Sequence, residues 1–171
     1  AGNTILATTN KAVVFGSTVN SANVSGYDLT VSTSDALASF GGAVGGMAGG
    51  SLGALTINNT SSAGVMLPAI TAQSLNVLTA GPVTNAGNLA IAGAATIDAG
   101  ASNPITLGTT TAADFGSLTL TGGDVTIRES SAMQIANVTA NALDLTTTAG
   151  AVKIDAASVS LGHDGSRQVE A

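Results

Sequence analysis

A parallel β-helix, an all-β solenoid, is the fold this sequence predicts, and three observations predict it. The first is a phrase that keeps returning in the second half of the chain: aliphatic, small or polar, aliphatic. It reads Leu89-Ala90-Ile91, Ala95-Thr96-Ile97, Ile105-Thr106-Leu107, Leu118-Thr119-Leu120, Val125-Thr126-Ile127 and Met133-Gln134-Ile135. Leu143-Asp144-Leu145, Val152-Lys153-Ile154 and Val159-Ser160-Leu161 continue it. Alternation with period two marks strands, because successive side chains point to opposite faces of the backbone. The second is the spacing. Taken three at a time, the phrases return from Leu118 to Leu143, from Val125 to Val152 and from Met133 to Val159. A period of that size built from short strands predicts a solenoid with three strands per coil of about 25–27 residues. The third is the core material. Hydrophobic residues make up 44 % of the 171 and aromatic ones only 2 %. A narrow bore lined by stacked aliphatic layers needs few of the rings that fill an ordinary irregular interior.

The first half carries the same period in other words. Val14-Phe15-Gly16 returns as Ser39-Phe40-Gly41, and Leu29-Thr30-Val31 as Leu55-Thr56-Ile57, each after about 26 residues. Between Val65 and Leu89 the period fails, although Val65-Met66-Leu67 and Leu75-Asn76-Val77 read as strands. Counted from Leu55, Leu75 comes too early for a full coil and Leu89 too late. A shorter coil or a protruding loop would each account for this. Gly87-Asn88, Gly93, Gly100, Gly108, Gly122-Gly123, Gly150 and Gly162 punctuate the strands, as corners demand. Pro68, Pro82 and Pro104 fall beside strands, where a missing N–H breaks no ladder. No apolar stripe of helical period runs for three turns. At about 26 residues each, between six and seven coils are expected over one segment, 1–171, with irregular ends at 1–10 and 163–171.

Composition excludes several functions. Charged residues are only 8 %, against roughly 25 % in a typical soluble domain, and none occurs from Ala36 to Ile97. The net charge is −6 with four basic residues, so there is no cationic footprint for nucleic acid or for an anionic membrane surface. Mean hydropathy of +0.43 argues for order. Cysteine is absent, which removes disulfides and thiolate metal sites and suits a large exported protein that crosses membranes unfolded. No apolar run is long enough to span a bilayer as a helix. Neither a leader peptide nor a capping segment is visible at Ala1–Asn10, so the chain reads as an excised piece of a longer repeat protein.

Ala113-Asp114-Phe115-Gly116-Ser117-Leu118-Thr119-Leu120-Thr121-Gly122-Gly123-Asp124-Val125-Thr126-Ile127-Arg128 resembles the repeat of filamentous-haemagglutinin-like large exoproteins. So do the stretch Gly87–Gly100 and the Phe-Gly phrases at Phe15 and Phe40. These are bacterial β-strand-repeat adhesins, often exported by two-partner secretion. The resemblance runs from about Lys11 to Leu161. It implies a right-handed parallel β-helix, a secreted or cell-surface address, and a fibrous, adhesive role. Host or matrix surface molecules are the expected partners, and the unpaired edges of the end coils point to the chain itself as another. The family's secretion-signal domain and surface anchor have no counterpart here.

Nothing in the residues assembles a catalytic, cofactor or metal site, and no cofactor is expected. With the sequence-derived period Thr119 lies beside Asp144, Thr126 beside Lys153 and Arg128 beside Asp155, so no two acids meet and Arg128–Asp155 reads as a surface ion pair. Glycoside cleavage needs two carboxylates close together. His163, the sole histidine, with Asp164 and Gly165 reads as a turn. Gly122-Gly123-Asp124 is too short for a calcium-binding repeat, and no Lys-Ser/Thr follows Gly41-Gly42 or Gly45-Gly46 to make a phosphate loop. The sequons at Asn23, Asn58, Asn59 and Asn137 are what chance supplies in a chain so rich in Asn, Ser and Thr. The expected function is therefore structural and adhesive and not enzymatic. A carbohydrate-binding or carbohydrate-cleaving β-helix is the alternative, with Tyr27 the only tyrosine platform. An ice-binding solenoid is a third: the outward residues on the three faces read Ala90, Thr119, Asp144, then Thr96, Thr126, Lys153, then Thr106, Gln134, Ser160, with charges interrupting two of them. Ile127 is expected to face inward and Thr126 outward, where an acid would be tolerated.

Overall fold

The structure, a computed structural model, describes residues 2–155, 159–161 and 167–170. The chain opens with β1 (Thr4–Ala7), β2 (Val13–Phe15), β3 (Leu29–Ser34) and β4 (Ala38–Phe40). It goes on through β5 (Leu52–Asn59), β6 (Val65–Leu67), β7 (Ile70–Thr79), β8 (Val83–Asn85), β9 (Leu89–Asp98) and β10 (Ile105–Leu107). β11 (Ala113–Thr121), β12 (Asp124–Glu129), β13 (Met133–Ala140), β14 (Ala142–Thr147), β15 (Val152–Ile154), β16 (Val159–Leu161) and β17 (Arg167–Glu170) follow. There is no helix among the described residues, and none long and apolar enough to cross a membrane.

Every strand pairing among the described residues is parallel, and neighbours in space are one coil apart in sequence. The longest sheet runs β1-β3-β5-β7-β9-β11-β13-β15, with β16 also on β13. A second runs β6-β8-β10-β12-β14-β17, and β2 pairs β4 in a third. This is the expected β-solenoid. Its strands β7, β9, β11 and β13 each bend across a corner, where the register slips. Three walls result. Wall A holds β1, β3, β5, the later halves of β7, β9, β11 and β13, and then β16. Wall B holds β2, β4, β6, β8, β10, β12, β14 and β17, with its ladder broken between β4 and β6. Wall C begins as the single bridges Val19–Val44–Ile70 and continues through the early halves of the long strands to β15.

The bore is aliphatic and closed. Leu55, Ile57, Leu75, Val77, Ile97, Leu118, Leu120, Ile127, Ile135 and Val138 are all buried. Each full burial contributes roughly 1.5–3 kcal/mol, and each rung adds a row of backbone hydrogen bonds about 4.8 Å from the last. Phe15 and Phe40 stack one rung apart, centroids 4.9 Å and rings within 5° of parallel. Their pairing, and that of Leu29 with Leu55, has the spacing read from the sequence.

Beyond β5 that spacing does not hold. Leu75 pairs with Leu55, the short interval that looked anomalous. Val65 then sits beside Val83, Val83 beside Ile105, Ile105 beside Val125 and Val125 beside Leu143. Coils of about 20 residues are therefore the rule from β5 onward. The longer period expected through Leu118–Val159 is wrong: Leu120 lies against Val138, not in the Leu143 stack. The difference is in one corner. From wall C to wall A the first coils take long corners (Val19 to Leu29, Val44 to Leu55), and the next three take corners about half as long (Ile70 to Leu75, Leu89 to Ala95, Ala113 to Leu118).

The ends expected to be irregular are not wholly so. Thr4–Ala7 pairs with β3, and Arg167–Glu170 pairs with β14. His163, Asp164 and Gly165 lie outside the described residues. Gly108 shows how tightly rungs approach: its φ is +76°, and a Cβ there would collide with the carbonyl oxygen of Arg128 on the next rung.

Ile127→Asp, which places an unpaired carboxylate between aliphatic layers, is expected to abolish the β spectrum in circular dichroism. Thr126→Lys is expected to stay within about 0.5 kcal/mol of the parent. Thr126→Asp is less benign than the sequence suggested, because Asp144 is its neighbour on the next rung. Gly108→Ala is expected to cost about 2 kcal/mol or more in urea melts. Gly16→Ala, where a side chain meets open space, leaves the midpoint unchanged.

Candidate functional site

The two long corners stack on one another. The Ser21 N–H donates to the Gly50 carbonyl, and the Met47 N–H to Asn20 Oδ1. Asp28 ties the layers on either side: Oδ1 accepts from the Ala54 N–H at 2.8 Å and Oδ2 from Asn3 Nδ2 at 2.8 Å. The corners from β7 onward are short, so the long ones form a shoulder, and a groove runs away from it along the rod. The groove has a volume of about 810 Å³. Its lining includes Gly26 and Asp28 at the shoulder, Ser74 and Ala92 on the floor, and Asp114 and Gly116 at the far end. It is shallow, built of small residues, and carries acids without bases.

Beyond Asp114 lies a group the sequence reading missed. Glu129 ends β12 only 1 % exposed, in phase with the inward Val125 and Ile127. Its Oε1 accepts the Phe115 N–H at 2.8 Å and lies 3.5 Å from the Ser131 Oγ. The Ser131 hydroxyl donates to Asp114 Oδ1 at 2.6 Å, while Glu129 Oε2 is buried with no hydrogen-bond partner among the described residues. Burial pushes the Glu129 carboxyl from 4.5 up to about 7; the Phe115 N–H opposes the rise and the charge of Asp114 adds to it. The expectation that no two acids meet is thus overturned: Asp114 and Glu129 share one serine across a corner. The signal was present in the alternation, since Asp124-Val125-Thr126-Ile127-Arg128-Glu129 puts Glu129 on the inward phase.

Glu129 belongs to a set of buried polar residues at corners. Asn59 donates to the Gly64 carbonyl and accepts from the Ser61 N–H. Asn85 accepts from the Gly108 N–H at 3.0 Å and donates to the Gly87 carbonyl at 2.9 Å. Thr147 donates to the Gly150 carbonyl. These side chains satisfy backbone groups where the ladder turns, as buried peptide groups require.

The other candidates separate. Arg128 sits beside Thr146 and not Asp155, and Asp155, the residue after β15, pairs with Lys153 of that strand. Thr119 neighbours Thr96 and Asn137, not Asp144; Thr126 neighbours Thr106 and Asp144, not Lys153. Gly122 and Gly123 form the buried corner before β12, packed on Ile105 and on the Ser102–Asn103 backbone. Asn59 is fully buried, so that sequon is closed to modification. Tyr27 is half-buried beside the N-terminal mouth of the bore. No group of three or more His, Cys, Asp or Glu converges among the described residues.

Fold and site together define a parallel β-solenoid repeat protein. A family model described as repeats of unknown function (DUF5649) matches residues 52–121. That span covers β5 through β11, the coils that form the groove floor. No curated protein and no solved structure matches the chain.

Because the folded pKa of Glu129 lies above its unfolded value, its contribution is fully present below about pH 4.5 and is lost as pH rises towards 7. Thermal melts are expected to show that loss, on the order of 3 kcal/mol, between these limits. Glu129→Gln should flatten the profile and be the more stable protein at pH 8. A parent profile already flat from pH 4.5 to 7 would show that the carboxyl is not held as described.

Proposed function

We propose that this chain is a structural and adhesive segment of a bacterial fibrous exoprotein, secreted or displayed on the cell surface. It acts as a stalk and as a distributed contact surface. The observation that carries this reading is wall A, a parallel ladder unbroken from β1 to β13, whose hydrogen bonds run along the rod. Such a ladder gives a stiff rod whose length grows by one rung per coil. Absence of cysteine, the Thr, Asn, Gly and Ala faces, and the resemblance of Ala113–Arg128 to exoprotein repeats support the address and the role. End-to-end association through the strand edges of terminal rungs belongs to the same reading.

A carbohydrate-binding or carbohydrate-cleaving protein is the second reading, favoured by the groove and by the Asp114–Ser131–Glu129 chain at its end. Glu129 is too deeply buried to reach a substrate without a corner opening, which ranks this reading lower.

Negative-stain images of the purified chain are expected to show discrete rods or end-to-end fibres, and coated beads are expected to adhere to matrix-covered surfaces. Round particles and beads that do not adhere would defeat the first reading. A glycan-array signal abolished by Asp114→Asn, or cleavage of a polysaccharide, would promote the second.

A further inference from the structure

The true register changes what the outer surface presents. On wall A one outward column opens with the exposed Ile5 and then runs through Thr30, Thr56, Asn76, Thr96, Thr119 and Asn137, each beside the next on successive rungs. No charge interrupts it. Two residues along each strand a second column reads Ser32, Asn58, Leu78, Asp98, Thr121 and Thr139, polar at five of six rungs and charged at one. Between the columns the inward Val31, Ile57, Val77, Ile97, Leu120 and Val138 are buried, which holds both columns on the outer side. The other walls differ. Wall B presents Met66, then Thr84, Thr106 and Thr126, then Asp144, and wall C carries Asp114 and Lys153.

We propose that wall A binds the surface of ice. The backbone fixes the columns on a two-dimensional lattice, about 4.8 Å from rung to rung and about 6.6 Å between columns. Threonine presents both a hydroxyl that exchanges hydrogen bonds with water and a methyl group that orders water around it. A lattice of such groups, with Asp98 the one charge among the named positions, matches a neutral crystalline ligand, because it engages the ligand in two directions at once. A flexible polymer would meet only one row. A sugar chain would need the aromatic platforms that this face lacks, and a charged ligand would need charges that the first column lacks. The inference goes beyond the stalk reading and does not depend on it.

The experiment is partition of the purified chain into slowly growing ice, alongside inhibition of ice recrystallisation. The parent is expected to concentrate in the ice fraction. Thr96→Lys/Thr119→Lys is expected to lower that enrichment about tenfold. Thr96→Ala/Thr119→Ala, which cannot crowd the face, is expected to lower it as well. Thr126→Lys on wall B should match the parent, with circular dichroism establishing that each variant keeps its β spectrum. Exclusion of the parent from ice, equal enrichment of the wall A variants, or retention on crystalline cellulose in place of ice would overturn the proposal.

Discussion

Rung-to-rung parallel pairing with the inward residues in register is the constraint on which this structure depends. Each strand is too short to be stable alone, and it gains its hydrogen bonds only from the coils above and below. That pairing fixes the strands at one spacing and forces like residues over like. An apolar side chain that faces in at one rung must face in at the next, or the bore acquires an uncompensated polar group. The buried aliphatic columns from Leu29 to Leu145 and the outward polar columns are two consequences of the same alternation.

Where the walls meet, the constraint relaxes. A corner has to return the chain to the next wall in register, but the number of residues used is free. The long corners around Asn20–Asp28 and Gly45–Ala54 and the short ones at Gln73-Ser74 and Gly116-Ser117 are all compatible with the same stack. The shoulder and the groove exist because that freedom is used unevenly. Corners also leave backbone groups unpaired, and Asn59, Asn85, Glu129 and Thr147 satisfy some of them from inside. Glu129 does so with an ionisable group, and so couples a structural role to pH, chiefly through its burial and to a lesser degree through the neighbouring Asp114.

The strands themselves were legible, and the walls were not. Leu118-Thr119-Leu120, Val125-Thr126-Ile127 and Leu143-Asp144-Leu145 are interchangeable as sequence: each is two aliphatics around one polar residue. Laying the Leu118 phrase over Leu143 is as apolar as laying it over Val138, so apolar pattern alone cannot choose the register. The early coils chose correctly because Phe15 and Phe40 are rare and mark their own rung. Taking the second-half phrases three at a time placed Thr119 over Asp144 and hid the uncharged column that Thr119 shares with Thr96. Glu129 was readable from its phase within β12, but its meeting with Asp114 was not, since a corner of unknown geometry lies between them.

The sequence by itself determined that this chain is all-β, parallel and coiled about an aliphatic bore, and which face of each strand is wet. Alternation and composition are local properties, and local sterics and hydrophobicity are enough to decide them. Only the tertiary structure decided which strand lies on which, because that depends on how many residues each corner consumes. The shoulder, the acid pair and the neutral polar column are all products of that count, not of any single residue.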